Sequence, residues 1–184
     1  MMETKEILPL IIPSFKIYIS YFYQIRFFTP NMLPLSTAIY PPEWYQKVGY
    51  GNYFVDKNGV VNGLNIDEFI FPKSIYDNEI WDEDKCGPNC KYGGDMIGKE
   101  PSEWCSFMKK YYEYLKKRDL INIINKYTYH AERVFNAMFN KNIDTLVLIV
   151  HEPPTKACSE RLVLQRYFAD YGIELKEWNP NERA

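Results

Sequence analysis

The sequence predicts an α/β fold with a mainly parallel sheet, and three observations carry that prediction. Thr145 to Val150 is an unbroken apolar run of strand length, the pattern of a strand covered on both faces. It is followed by an amphipathic helical segment, Ser159 to Tyr171, with Gly172 placed as its C-cap. An alternating segment, Ile173 to Trp178, then reads as an edge strand. Strand, helix and strand in that order form a right-handed crossover if the strands are parallel. The expected architecture is a Rossmann-like three-layer sandwich. It occupies residues 1–184 as one domain, with an irregular excursion at about 40–100.

The other elements follow in chain order. Lys16 to Phe22 is β-branched and aromatic and reads as the first core strand. Met32 to Ile39 reads as the second, although Pro34 cannot donate to a ladder. Pro41 and Pro42 then stop regular structure. Tyr53 to Val61 predicts a small hairpin outside the main sheet, with Asn58 and Gly59 supplying positive φ angles at its turn. Asp67 to Lys99 shows no clean period. A helix is expected after Pro101 with Ser102 as N-cap and a stripe of Trp104, Phe107 or Met108, Tyr111 and Leu115. Asp119 is placed to cap a second helix, whose stripe runs Leu120, Ile123, Ile124, Tyr127, Ala131, Val134, Phe135 and Met138.

Charge and cysteine usage narrow the function classes. Twenty-two basic and 24 acidic residues leave a formal charge of -2, which provides no global field for nucleic acid or an acidic membrane. The apolar run Ile7 to Ile12 is too short to span a bilayer and lacks the flanks of an export signal. A cytoplasmic location, away from membranes, with four reduced cysteines is therefore expected.

In an open parallel sheet, ligands gather outside the carboxyl ends of the strands. Ser20, Tyr21, Tyr23 and Arg26 follow the first strand, and Ser36, Thr37, Trp44 and Tyr45 follow the second. The richest loop is His151 to Arg161, which brings Glu152, Lys156, Cys158, Ser159 and Arg161 to a helix start. The first turn of a helix has free N–H groups and a partial positive charge, so it can hold a phosphate or carboxylate. Arg161 and Lys156 would strengthen that preference. The same field would favour a Cys158 thiolate, with His151 as proton partner in nucleophilic catalysis. The plainer alternatives are Cys158 as a small buried apolar residue, Ser159 as a simple cap, and Glu160 and Arg161 as solvated first-turn charges.

Three other patterns compete for a function. Cys86 and Cys90 flank Gly87-Pro88-Asn89, and with Cys105 they could supply three zinc ligands. Asp56-Lys57-Asn58-Gly59 resembles the start of a calcium loop, but Val61 stands where that loop needs glycine. Lys109, Lys110, Lys116, Lys117 and Arg118 interleave with Tyr111, Tyr112 and Tyr114, a composition that can hold single-stranded nucleic acid. The usual explanation of such a helix is a solvated face opposite an apolar stripe.

The strand Ile17 to Phe22, the segment Met32 to Ser36, and the strand Leu146 to Val150 with its Glu152 loop and Cys158-led helix start resemble the domain of unknown function 488 family. That resemblance implies an α/β sandwich with a parallel sheet and carries over Glu152, Cys158 and Arg161. Many members have Cys-His-Arg at the helix start, where this chain has Cys158-Ser159-Glu160-Arg161. The family brings no established activity.

The sequence therefore favours a protein that binds a small anionic, nucleotide-like ligand through Ser20, Tyr21, Ser36, His151, Glu152, Cys158, Ser159 and Arg161. The alternative is a nucleic-acid-binding accessory protein that uses the helix over residues 102–118.

Overall fold

A computed structural model of the chain describes residues 15–46, 53–77, 96–154 and 159–182. Four strands form the main sheet: β1 (Lys16–Tyr21), β2 (Met32–Ser36), β5 (Thr145–Val150) and β6 (Lys176–Glu177). Their order is β2-β5-β1-β6 and every pairing is parallel. The continuous apolar run thus becomes an inner strand, and all six of its residues are buried. Leu146, Leu148 and Val150 enter one core, while Val147 and Ile149 enter the other.

Strand β2 ends at Ser36, three residues before the expected end, and lies at the sheet edge. The edge position resolves the problem posed by Pro34, since an edge residue has no second ladder to complete. The outward carbonyl of Pro34 accepts a hydrogen bond from the buried Tyr45 hydroxyl at 3.1 Å. That hydroxyl also lies 2.5 Å from the Leu64 carbonyl, and Ser36 bridges in parallel to Asn65. The excursion is therefore tied to the edge of the sheet.

The expected hairpin is present as β3 (Phe54–Val55) and β4 (Val61–Asn62), paired antiparallel in a separate sheet. Its turn differs from the expected one. Gly59 alone takes a positive φ, 78°, and Asn58 does not. The Gly59 amide donates to the Asp56 carbonyl, and the Asp56 amide to the Val60 carbonyl, as in a three-residue loop with a glycine bulge. The Asp56 carboxylate accepts from the Asn58 and Val60 amides and from the Asn62 side chain.

Three helices bury their stripes in one core: α3 (Ser106–Lys116), α4 (Leu120–His130) and α6 (Glu160–Asp170). Two one-turn helices, α1 (Glu43–Gln46) and α2 (Lys73–Ile75), precede them, and α5 (Ala137–Phe139) follows α4. The expected stripe of α3 is buried, but its helix starts at Ser106 with Cys105 as N-cap, not at Ser102. Ser102 instead sits in a 3-10 turn, Pro101–Glu103, where the Glu103 side chain accepts from the Glu100 amide.

Asp119 caps α4 as expected by accepting from the Asn122 amide. Beyond His130 the chain widens into a π-helical turn, Ala131–Asn136. That turn breaks the 3.6-residue period, so Phe135 stays buried while Met138 is 73% exposed.

The opposite face of the sheet is covered differently. Among the described residues it carries the 3-10 turn Phe22–Phe27, Phe28, Tyr45 of α1 and Val60 of the hairpin. No long helix lies on that face among the described residues, and none there is long and apolar enough to cross a membrane.

Candidate functional site

At the carboxyl end of the sheet, side-chain alternation separates the residues singled out from sequence. Ser20, Ser36 and His151 share the parity of Tyr18, Val147 and Ile149 and so lie on the second face. Tyr21 packs with the first core, as do the residues of α6. Ser36 Oγ accepts from the Ala38 amide at 3.2 Å, and the Tyr21 hydroxyl accepts from the Gln24 side chain at 3.0 Å. Ser20 Oγ is buried with no hydrogen-bond partner among the described residues. The exposed His151 ring meets Phe22 edge to face at 6.1 Å. Cys158 and Lys156 lie outside the described residues.

On the first face the start of α6 is packed and acidic. Ser159 caps it by accepting from the Arg161 amide, and the Ser159 hydroxyl donates to Glu152 at 3.3 Å. Glu160 and Arg161 are 8% and 4% exposed, so they are not solvated first-turn charges. Burial pushes the Glu160 carboxyl well above the usual range, and the nearby Glu152 carboxylate adds to the effect. Thr37 Oγ1 lies 3.1 Å from both Glu160 Oε2 and the Ile149 carbonyl. The Thr37 hydroxyl donates to both as a shared hydrogen bond, and its donation to Glu160 works against the raised value without cancelling it.

Arg161 reaches across to β6. Its Nε and Nη2 donate to the two oxygens of Glu177, at 2.8 and 3.4 Å, while Nη1 is buried with no partner among the described residues. Burial raises the Glu177 carboxyl and outweighs the opposing pull of Arg161. Sequence reasoning missed this ion pair, although its signal was present. In the alternating segment Ile173 to Trp178, Glu177 shares a side with the buried Leu175, so a carboxylate on that side requires a cation.

A hollow of about 570 Å³ opens on the second face, lined by Phe22, Tyr23, Ile25, Arg26, Trp44 and the hairpin tip Asp56–Asn58. The 3-10 turn that leaves β1 forms one wall, and Phe22 links it to His151 at the carboxyl end of the sheet. The Arg26 guanidinium lies 3.5 Å over the Tyr23 ring, with Nε donating to the Tyr23 carbonyl. Its two Nη atoms make no hydrogen bond to a described residue. Lys57 is exposed and pairs with no described carboxylate, and the Asp56 carboxylate is occupied within its turn. A smaller hollow of about 290 Å³ is lined by Leu33, Leu64, Lys126, Tyr127, Tyr129 and His130.

The remaining sequence signals are accounted for where they are described. Cys105 is fully buried in the apolar core, and no metal-binding group of His, Cys, Asp or Glu occurs among the described residues. Cys86 and Cys90 lie outside them. The tyrosines of α3 are committed to packing. Tyr111 is buried and donates to the Phe69 carbonyl, Tyr112 bonds Asp170, and Tyr114 packs between Phe71 and Arg118. No family model matches the chain, and no curated protein or solved structure shows significant similarity to it.

Proposed function

We propose that this chain binds a small anionic ligand in the hollow between the 3-10 turn Phe22–Phe27, α1 and the hairpin tip. The observation that carries the reading is the pairing of a cleft of ligand size with two cations not paired to a described carboxylate. Small-molecule sites usually occupy roughly 300–1,000 Å³, and this hollow has about 570 Å³. Arg26 presents an open guanidinium fork there, and such a fork matches the two oxygens of a phosphate or carboxylate. The start of α6 is the weaker location for an anion, because Glu152 and Glu160 stand there and Arg161 already answers Glu177.

A Rossmann-like layered arrangement is part of this proposal, but the hollow uses none of Glu152, Cys158 and Arg161, the residues that the resemblance to domain of unknown function 488 carries over. Only the Phe22 end of the hollow reaches the carboxyl edge of the sheet, where such an arrangement favours ligands, and the hairpin tip lies by Pro30 ahead of β2. Thermal melting with millimolar inorganic phosphate at low ionic strength tests the proposal. The melting temperature should rise with phosphate, and Arg26→Ala should abolish the rise. An equal rise in the variant would remove Arg26 from the site, and no rise in the parent would remove the anion.

A further inference from the structure

Resting on that reading, we infer that the hollow takes an aromatic ring together with its anion, as a nucleoside monophosphate would present them. Tyr23 is 53% exposed, and Arg26 lies 3.5 Å over its ring, with Tyr21 nearly parallel to it at 14° and 6.4 Å between centroids. Tyr23 therefore positions Arg26.

Trp44 differs. It is 44% exposed at the rim, and its described ring neighbours, Phe22 and Tyr45, meet it nearly perpendicular at 88° and 85°. No described ring stacks face-on against the indole. An exposed indole with no described ring stacked on it, beside a cationic fork, is the combination that holds a nucleobase and its phosphate.

The arrangement sets a polarity. The ring binds at the Trp44 and Phe22 end, next to His151 at the carboxyl edge of the sheet. The phosphate binds between Arg26 and Lys57, toward the hairpin tip. Asn58 fastens that tip to the 3-10 turn by donating to the Arg26 carbonyl at 3.0 Å, so the two cations are held on one wall. Trp44 supplies stacking, which tolerates any base because every base has a π face. The expected ligand class is therefore set by the ring and phosphate together, not by a particular base.

Calorimetric titration of the full chain with inorganic phosphate, ribose 5-phosphate, adenosine and adenosine monophosphate tests this. Adenosine monophosphate should bind at least about tenfold tighter than ribose 5-phosphate, in line with the usual effect of one base stack. Trp44→Ala should erase that gap and leave ribose 5-phosphate affinity unchanged, whereas Arg26→Ala should weaken both. Trp44→Leu keeps apolar bulk against Phe22 and Tyr45 without a π surface, and should likewise erase the gap, which keeps the test readable if the alanine variant fails to fold. Equal affinity for the two phosphates would overturn the ring-binding class while leaving anion binding standing. Adenosine binding as tightly as its monophosphate would overturn the phosphate end. No binding by any of the phosphates would overturn both this inference and the reading beneath it.

Discussion

Glu160 shows how far a single residue's surroundings can reverse its ordinary behaviour. A glutamate in the first turn of a helix usually stays charged, because the helix start favours a negative group. Here burial and the neighbouring Glu152 carboxylate oppose ionisation, and together they outweigh the Thr37 hydroxyl and Arg161, which favour the charged form. The carboxyl titrates higher in the fold than in the unfolded chain. Its stabilising contribution is therefore complete below the ordinary glutamate range. It is lost as pH rises from there through the raised value. Glu160→Gln mimics the protonated form and should melt above the parent at pH 8 while nearly matching it at pH 4. Thermal melts across that range measure this, and a gap that did not vary with pH would refute the proton assignment.

At the scale of elements, the C-terminus of α6 is defined by one glycine. The Ile173 amide donates to the Phe168 carbonyl and the Gly172 amide to the Ala169 carbonyl, the two bonds of a Schellman motif. Gly172 takes φ 74°, and a Cβ added there would meet nothing within 4 Å. Gly172→Ala should thus destabilise only through backbone strain, by about 1–2 kcal/mol. Urea denaturation would show this, and Gly172→Asn should lose less because asparagine tolerates that conformation. The hairpin has a different cause, since its Gly59 also lies close to Pro30, with 3.3 Å between the Cβ position and the proline ring.

For the whole molecule, the sheet divides two cores that are unequal in kind. The first face is sealed by α3, α4 and α6, and the described cover of the second is made of turns and short segments. Stability should concentrate on the first face. Leu148 is fully buried there on the inner strand β5, and Leu148→Ala should cost about 2–5 kcal/mol as a cavity forms. Chemical denaturation monitored by far-UV circular dichroism would measure it, and a loss under 1 kcal/mol would mean the three helices do not close over that strand. Among the described residues, the hollow lies on the more lightly covered face, and no long helix stands over it.

Local pattern determined the inner strand, the α6 caps, the Asp119 cap and the hairpin, because each depends on residues adjacent in the chain. The run Thr145 to Val150 requires cover on both faces, and Ser159 and Gly172 bracket a helix wherever it packs. Pattern also brought forward Arg26 and Trp44 as residues after strands, without joining them. Tertiary structure alone decided that Arg161 faces Glu177, that Glu160 is buried, and that Phe22, Trp44 and Lys57 share one hollow. The reason is physical. Capping and periodicity act over a few residues, whereas ion pairing, desolvation and cavity shape depend on which distant segments the sheet order brings together.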